Sequence, residues 1–413
     1  MILLLGQVFI FILVYLGAAS RTVLGAEILV TPSCEIHEEF NDNISLATGS
    51  GQSDFITSIA PSLGLSRNTE RSNINLSAGL NQYWYARKDG LSSQDYSYQG
   101  QLAYKLTQRD NLGLGGSYTH SSRLDNINQT TGLAASSGTK TYSLSTNAGR
   151  SLDATTSASV SYSYQRQLYD NPSLVGNATH SVGLGLSKDL GSLLPMLKGS
   201  VNTSYTRAVY NNSTNDDYSL SVGASRNINE KIAWSLSVGA RYTYSSFLTL
   251  RQTATTLTQV TDSSDNWGWI GSAGLVYTGE KTHGSLSFSQ NFAAASGQVG
   301  ATETTGVSLA LGRTETRRLN WQLSAAYNIN RSSNNQFASL GTNERAYQFG
   351  ANVQYMLSDY LDLGLQYSHY TDTYRNIGTR ADQNKVLLSL SYHGRFRLIG
   401  TKTLIDEVFH GTR

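Results

Sequence analysis

Apolar and polar residues alternate with a period of two in segments that recur along most of the chain. Residues 231–244 show the pattern well. One face is apolar and aromatic, made by Trp234, Leu236, Val238, Ala240, Tyr242 and Tyr244. The other is small or polar, made by Ala233, Ser235, Ser237, Gly239, Arg241 and Thr243. Because successive side chains of a strand point to opposite faces, this pattern predicts a strand with one apolar and one polar wall.

The same alternation predicts about 18 strands, most of them long enough to cross a bilayer at a tilt. They lie at 35–47, 54–67, 72–86, 95–107, 111–123, 139–152, 155–169, 176–189, 197–210, 217–228, 231–246, 266–278, 282–293, 303–314, 319–331, 345–357, 361–372 and 383–398. Aromatic residues gather near the ends of the apolar faces, at Tyr162 and Tyr164 and at Trp267 and Trp269. Such clusters are typical of the interfacial girdles of membrane barrels.

The predicted connections alternate between short turns, such as Gly279–Lys281, and longer polar loops at 124–138, 247–265 and 332–344. Bacterial membrane barrels have short periplasmic turns, long external loops and an even number of strands. The predicted fold class is therefore all-β, a transmembrane antiparallel outer-membrane β-barrel of about 18 strands. A soluble β-sandwich is the alternative, but it would hide its apolar faces between two sheets and carry far more proline.

The composition agrees with a barrel wall. Charged residues make up 15% of the 413 residues, below the roughly 25% of soluble proteins. The net charge of +2, with no basic run, gives no reason to expect nucleic acid as a partner. Cys34 is the single cysteine, which excludes an intrachain disulfide or a cysteine-built metal site. No cofactor is expected.

The N-terminal residues 1–26 form a long apolar stretch that ends in small residues, as a cleaved signal peptide does. No Lys or Arg precedes the apolar run, so a single inner-membrane anchor is the competing interpretation. We expect the barrel to occupy 27–399 and a periplasmic C-terminal tail to occupy 400–413. The predicted location is the outer membrane of a Gram-negative-type bacterium.

A catalytic role is not expected. The sharpest candidate is His120-Ser121-Ser122, a His-x-Ser pair on an outward strand face, similar to the arrangement of an outer-membrane phospholipase. That chemistry needs a third group to orient the histidine. On the next predicted strand Asn147 faces inward, so the sequence offers no orienting side chain where one is needed.

The inward faces predict a lumen lined by amides and hydroxyls with few charges. The candidate lining residues are Gln99, Gln101, Lys105, Arg241, Gln322, Asn328, Gln348, Asn352 and Asp362, together with Tyr83 and Tyr85. The two tyrosines either stack on sugar rings or fill space near the loop end. The segment 247–265 is the one candidate for a loop that folds into the pore and constricts it.

A more specific signal lies near the start of the predicted barrel. Residues 30–44 read VTPSCEIHEEFNDNI, and Ile59-Ala60-Pro61 and the segment 104–109, YKLTQR, follow. This pattern resembles the beta-barrel porins encoded beside exopolysaccharide biosynthesis genes. The Asp42 and Asn43-Ile44 positions match that family, whereas Cys34 stands where an ordinary residue is expected.

The resemblance implies an outer-membrane exit for exopolysaccharide that works with a periplasmic polysaccharide-export protein. It brings no catalytic residues. A general or sugar-selective diffusion porin, and a scaffold barrel threaded by a partner protein, are the alternatives. The expected partners are outer-membrane lipid and lipopolysaccharide, and polysaccharide or small polar solutes.

Overall fold

The structure, a computed structural model, describes residues 27–399 except 129–130, 135, 253–256, 295–300, 333–342 and 376–377. The expected signal peptide, 1–26, and the expected tail, 400–413, lie outside the described residues. In the described part of the chain, no helix is long and apolar enough to cross a membrane. Among the described residues the one helical element is a 3-10 turn at Asp89–Leu91.

Within residues 27–399, in the parts that the structure describes, nineteen β-segments follow one another. They are β1 Glu27–Asn41, β2 Asp54–Asn68, β3 Ser72–Tyr85, β4 Ser93–Lys105, β5 Asp110–Ser121, β6 Thr139–Ser151, β7 Thr156–Tyr169, β8 Asn177–Asp189, β9 Leu197–Val209, β10 Ser213–Asn227, β11 Ile232–Gln252, β12 Leu257–Thr278, β13 Thr282–Ala294, β14 Ala301–Thr314, β15 Leu319–Ser332, β16 Asn343–Ser358, β17 Leu361–Tyr374, β18 Thr379–His393 and β19 Phe396–Ile399. Each pairs antiparallel with its neighbours in the sheet.

The sheet closes on its first strand. β1 pairs with β2 along its whole length, with β18 from Ser33 to Asn41, and with β19 from Glu27 to Val30. β18 and β19 are therefore two segments of one wall strand, separated by Gly394 and Arg395. The protein is a closed antiparallel barrel of 18 wall strands, and the predicted fold class is confirmed. Closure leaves no edge strand, which a membrane-spanning sheet requires.

The period-two pattern determines which face of each strand points out. The apolar side chains lie on the outer surface, where Leu220 is 56% exposed and Val238 is 55% exposed. At the aromatic girdle Trp267 is 71% exposed, and its ring lies 5.0 Å from that of Tyr242 on the next strand. Such a surface is unfavourable in water and favourable in hydrocarbon, with aromatic rings at the interface.

Three predicted boundaries are wrong in an informative way. β1 begins at Glu27, eight residues before the predicted start, because its first part pairs with β2 and β19. The predicted last strand, 383–398, is split into β18 and β19 at Gly394. The predicted loop 247–265 is mostly strand, since β11 extends to Gln252 and β12 begins at Leu257. These ends do not keep a clear alternation of apolar and polar residues, so the pattern could not reveal them.

The long β11–β12 hairpin leaves a seam in the wall. The β12–β13 ladder ends at the Gly271–Gln290 pair, although β13 continues to Ala294 beside β14. Arg241 bridges this seam: its Nη2 lies 2.6 Å from Glu303 Oε1 on β14. Its guanidinium also lies 4.0 Å from the centroid of the Phe292 ring. Gly268 has no side chain where the guanidinium passes, and a Cβ there would collide with it.

Replacing the acid at this seam should destabilise the barrel. Arg241 is 1% exposed, and its Nε and Nη1 have no hydrogen-bond partner. Glu303→Gln would leave a buried cation without its anion. Because Glu303 is itself half-exposed, we expect a loss of about 1–3 kcal/mol in the free energy of unfolding. Urea-induced unfolding of the detergent-solubilised barrel measures it.

Glu315→Gln is the matched control. Glu315 pairs with Arg313 in a short turn where both side chains are 44–45% exposed, and its loss should cost about 0.5 kcal/mol or less. Equal effects of the two substitutions would contradict a structural role for the Arg241 bridge.

Candidate functional site

The candidate site is the lumen together with the loop that enters it, residues 122–138 between β5 and β6. We call this segment the β5–β6 loop. Its tip contacts β15, which is nine wall strands from β6 in either direction around the barrel. The loop therefore crosses the lumen and reaches the opposite wall. It lies at the end of the barrel that carries the long connections.

An ionic cluster holds the base of the loop against the wall. Arg123 donates from Nη1 and Nη2 to the two carboxylate oxygens of Glu39 on β1, at 3.0 and 2.6 Å. It also donates from Nε and Nη2 to Asp125, both at 2.8 Å. Such paired, charge-assisted bonds are among the stronger hydrogen bonds in proteins. The guanidinium lies 5.3 Å from the ring centroid of Tyr83, which places a further attractive contact beneath it.

Asp125 joins the loop to β1 and β18, the two strands whose pairing closes the barrel. Its Oδ2 accepts hydrogen bonds from Asn41 of β1 at 3.0 Å and from Lys385 of β18 at 2.8 Å. Gln383 of β18 donates to the same oxygen at 3.3 Å. Burial alone would raise the pKa of Asp125, but the charges of Arg123 and Lys385 outweigh it and hold the pKa well below its usual range. The carboxylate therefore remains ionised under ordinary conditions.

The loop tip packs on the far wall. Asn330 Nδ2 on β15 donates to the Thr131 carbonyl at 2.7 Å, and the Tyr370 hydroxyl on β17 donates to the Gly132 carbonyl at 3.0 Å. Leu133 is 5% exposed and packs with Leu46, Ala346 and Tyr370. Gly132 has φ +70°, and a Cβ there would collide with Asn328. Only glycine fits this backbone conformation and this close approach without strain.

Two acidic side chains lie on the inner wall close to this tip. Asp372 on β17 is fully buried, and Glu344 on β16 is 8% exposed. They lie on the same inward face, where Asp372 is opposite Ala346 and Glu344 is opposite Tyr374. Tyr370 donates to Asp372 Oδ2 at 3.3 Å, but Oδ1 has no hydrogen-bond partner. Among the described residues, no basic side chain forms an ion pair with either carboxylate.

The lumen wall away from the loop is lined by small hydroxyl side chains. They form hydrogen-bonded pairs across neighbouring strands from β5 to β14. The pairs are Ser117–Ser143, Ser157–Ser187, Ser181–Thr206, Ser204–Ser219, Ser237–Ser272 and Ser287–Ser308, at 2.6–2.9 Å. Two inward charges in this sector are used within the wall: Asp217 accepts from Thr243 at 2.6 Å, and Arg241 bridges the seam. Asp189 of β8 and Lys198 of β9 are further inward charges, opposite each other at the short-turn end. The rest of this face is mainly small and polar.

The structure places most of the predicted lining residues on inward faces. Gln101 and Lys105 line a cavity of about 720 Å³ at the short-turn end, and Gln322 and Asn352 line one of about 300 Å³ on the other side. Gln99 lies opposite Ser117 on the hydroxyl-lined face. These side chains border space that a solute could occupy.

The other predicted lining residues are engaged by the protein itself. Asn328 lies against Gly132, and Gln348 lies opposite Tyr370, so both are near the loop tip. Asp362 accepts a hydrogen bond from Gln354 at 3.1 Å. Arg241 is buried in the seam and does not face open lumen.

Tyr83 and Tyr85 are 8% and 7% exposed. They pack with Ile44 and Ile56 beside the ionic cluster at the loop base. Of the two roles expected for them, filling space fits this burial, and little ring surface remains on which a sugar could stack.

The His120 site differs from the sequence expectation in one respect. Asp170, which follows β7, places Oδ2 3.8 Å from His120 Nε2, so an acid does lie near the histidine. No Ser–His hydrogen bond completes a catalytic arrangement, however. Ser121 and Ser122 both donate to Asp95, at 3.0 and 2.6 Å.

The described parts of 247–265, the candidate for a constricting loop, are β-strand, and the β5–β6 loop enters the lumen instead. In the sequence, the residues that point to a loop held inside the barrel are Arg123 and Asp125. Two opposite charges two residues apart, in a loop of an otherwise weakly charged barrel, suggest buried partners elsewhere. The acid pair Glu344 and Asp372 was also visible, since strand parity places both residues inward.

The comparisons with known proteins agree with this architecture. Residues 27–183 match the family described as "Putative beta-barrel porin 2". The resemblance to a beta-barrel porin family is thus confirmed over those residues, which include β1 to β7 and the whole β5–β6 loop. No curated protein matches the sequence.

Several solved structures are similar to this chain at low identity. OccAB4 of Acinetobacter baumannii is 12% identical with a TM-score of 0.44, covering 91% of this chain and 100% of that one. OpdL of Pseudomonas aeruginosa is 10% identical with a TM-score of 0.42, covering 89% and 99%. The ferric-catecholate import receptor Fiu of E. coli K12 is 9% identical with a TM-score of 0.46, covering 89% and 81%.

Removing the central cation should release the loop. Arg123→Ala would leave Glu39 and Asp125 buried without their shared partner, which typically costs about 3–5 kcal/mol. The loop can avoid much of this cost by leaving the wall. We therefore expect faster amide hydrogen exchange across 122–138, measured by mass spectrometry on the detergent-solubilised protein.

Lys140→Ala is the control for that experiment, because Lys140 pairs with Asp170 where both side chains are 39–43% exposed. It should leave exchange in the loop unchanged. Unchanged exchange in Arg123→Ala as well would show that the cluster does not hold the loop.

Neutralising Asp372, the buried acid at the loop tip, should make the barrel more stable. Asp372→Asn keeps the shape and the Tyr370 contact but removes a buried charge without a basic partner. We expect it to stabilise the barrel by roughly 1–3 kcal/mol, since burying an unpaired charge is costly. Thermal unfolding measures the change. Asp382→Asn, which removes an exposed partner of Arg380, should be neutral or slightly destabilising, and a destabilised Asp372→Asn would contradict the argument.

Proposed function

We propose that this porin-family barrel is a passive outer-membrane conduit for carbohydrate, and that its cargo is exopolysaccharide leaving a Gram-negative-type cell. The observation that carries the proposal is the hydroxyl-lined sector of the lumen from β5 to β14. Hydroxyl and amide groups can exchange hydrogen bonds with the hydroxyls of a sugar without binding it as tightly as a charge would. A polymer must slide past many such groups, so weak and repeated contacts suit its passage.

The distribution of charge supports a neutral cargo. Selectivity for small ions comes from rings of charged side chains that face the passing solute. Here Arg123, Asp125 and Glu39 are paired with each other, hold the loop and are not presented to the open sector. The open sector has few inward charges, such as Asp189 and Lys198 on neighbouring strands. The resemblance to porins of exopolysaccharide loci supports a sugar polymer in particular.

The β5–β6 loop gives this conduit a closing element. A polymer chain needs a wider path than a monosaccharide, and a loop that crosses the lumen narrows that path. Release of the loop, driven by the polymer or by a periplasmic polysaccharide-export protein, would open it. The seated loop would keep the barrel closed to other solutes between export events, and the partner would release it only during export.

A general or sugar-selective diffusion porin is the second candidate, and one observation favours it. A loop folded into the lumen is the usual means by which a diffusion porin narrows its pore. In that case the loop would remain seated, and small polar solutes would pass through the hydroxyl-lined sector beside it. The cavities lined by Gln101 and Gln322 lie along such a path.

The remaining alternatives have less support. A scaffold barrel threaded by a partner protein needs a clear lumen, and the β5–β6 loop already occupies part of it. An enzymatic role has little support at either serine–histidine site of the described residues. The hydroxyls of Ser121 and Ser122 bond to Asp95 and not to His120. The Ser58 hydroxyl does lie 2.7 Å from His37 Nε2, but Ser58 is fully buried and out of reach of a substrate. We infer that the barrel transports and does not catalyse, and that it needs no cofactor.

Deleting the gene distinguishes polysaccharide export from a diffusion porin. We expect loss of extracellular polysaccharide with normal growth on limiting sugars, restored by the intact gene. Normal polymer with impaired sugar uptake would overturn export and leave the diffusion porin.

Complementation with a variant in which residues 124–137 are replaced by a short Gly-Ser linker tests the loop as closing element. We expect restored polymer and, in planar bilayers, a conductance several-fold above that of the wild-type barrel, because widening a water-filled pore lowers its resistance. Complementation by a barrel with unchanged conductance would show that the loop does not limit the pore.

A further inference from the structure

Four arginines lie together on the outside of the barrel at the long-loop end of β15–β18. They are Arg331, Arg345, Arg375 and Arg380, and we call them the arginine patch. Outward orientation follows from the ladders: Arg345 lies opposite Ile329 on β15 and Thr373 on β17, and Thr373 lies opposite Arg380 on β18. Arg331 and Arg375 follow Ile329 and Thr373 by two residues, so they share the same face.

The spacing brings the four side chains into one small area. Neighbouring strands lie about 4.8 Å apart and residues two apart on a strand lie about 7 Å apart. Arg345 and Arg380 lie at the same level of the wall, two strands apart. Arg331 and Arg375 lie two residues further along their strands, and so further from the membrane centre. Four guanidinium groups therefore lie within reach of a single large anionic headgroup.

The protein supplies little negative charge to this patch. Among the described residues, Arg331, Arg345 and Arg375 form no ion pair within 4.0 Å, and Arg345 Nε is buried without a hydrogen-bond partner. Asp382 pairs with Arg380 at 2.6 Å, and Glu303, opposite Arg331, is held by Arg241. The connecting segments 333–342 and 375–378 contain no Asp or Glu in the sequence. They cannot provide the missing anions.

The opposite sector of the rim is different. On the outward face of β6 and β9, Lys140 lies 2.7 Å from Asp170 and Arg207 lies 3.8 Å from Asp216. Those cations have carboxylates of the protein beside them. Arg166 of β7 is the exception in this sector, since it forms no ion pair within 4.0 Å among the described residues. The contrast is therefore one of number, with three such arginines close together on β15–β18.

The surface just below the patch is built for a lipid interface. Tyr327 and Tyr347 stack with their ring centroids 4.5 Å apart, and Tyr347 is 45% exposed on the outer surface. Further toward the middle of the wall, Val353 and Leu365 are 43% and 52% exposed. Moving outward along these strands, the surface changes from aliphatic to aromatic to cationic. That order matches acyl chains, interface and headgroup of a membrane leaflet.

We propose that the arginine patch binds the phosphorylated headgroup of an outer-leaflet glycolipid. Guanidinium groups form bidentate, charge-assisted hydrogen bonds with phosphate oxygens, and a glycolipid brings its phosphates to the depth at which the patch lies. The aromatic pair below packs against the sugar or the upper acyl chains. The proposal rests on the outer-membrane placement of the long-loop end, and not on the identity of the cargo.

The test measures lipid binding on the purified barrel in detergent. Bis-phosphorylated lipid A, dephosphorylated lipid A and inorganic phosphate are each added, with bound lipid read by native mass spectrometry and stability by thermal unfolding. We expect the phosphorylated lipid to bind and to raise the unfolding temperature. Arg331→Gln/Arg375→Gln and the fourfold variant that adds Arg345→Gln and Arg380→Gln should weaken binding progressively, by about tenfold to more than a hundredfold, at roughly tenfold or less for each arginine lost.

Lys140→Gln/Arg166→Gln/Arg207→Gln is the control, because it removes outward positive charge from the opposite sector. It should bind lipid nearly as the wild type does. An equal loss in this control, or equal binding of dephosphorylated lipid, would overturn the proposal. Equal stabilisation by inorganic phosphate would identify a free-anion site in its place.

The lipid-binding experiment tests the arginine patch independently of the proposed pore function. Arg331→Gln/Arg375→Gln changes two exposed side chains outside the lumen, so single-channel conductance should stay at the wild-type value. Should the fourfold variant fail to fold, as judged by heat-modifiable gel migration, the double variant alone decides.

Discussion

The constraint on which the structure depends is that backbone polar groups inside a bilayer must find partners within the protein. An open sheet would expose a row of unpaired N–H and C=O groups at each edge, at a cost of several kcal/mol per group. The chain meets this constraint by pairing β1 with both β2 and the β18–β19 strand. Where the ladder does stop, above the Gly271–Gln290 pair, Arg241 spans the gap to Glu303. Hydrogen bonding thus accounts both for the closed wall and for the one charged side chain built into its seam.

Closure of the barrel also completes the surface to which the β5–β6 loop binds. Asp125 is held by Asn41 from the first strand and by Lys385 from the last long strand, while Arg123 is held by Glu39. Lys385 reaches Asp125 beside Asn41 only when the two ends of the barrel have paired. A buried ionic cluster contributes little net stability, but removing one member is costly. We therefore regard the cluster as a device that fixes the loop in one place after the barrel has closed.

The strand pattern was readable from the sequence because membrane and water act on opposite faces of every strand. Most strand ends, the strand count and the inward positions of Gln101, Gln322 and Asn352 followed from parity alone. The path of the β5–β6 loop did not, since it depends on contacts between Thr131 and β15 and between Asp125 and β18, which are far apart in sequence. The extended β11–β12 hairpin was also missed, because residues 247–265 do not keep a sustained alternation of apolar and polar side chains.

One sector of the wall, β15–β18, has a distinct role on each side. On the inside it receives the loop tip through Asn330 and Tyr370, and on the outside it carries the arginine patch. The two faces belong to the same strands, whose side chains alternate in and out. An outward arginine such as Arg345 is flanked along its strand by the inward residues Glu344 and Ala346 at the loop tip. A headgroup that clamps these strands from outside would restrict their movement relative to one another. The loop would then rest on a wall made rigid by the membrane itself, which is the wall against which a closing element is most effective.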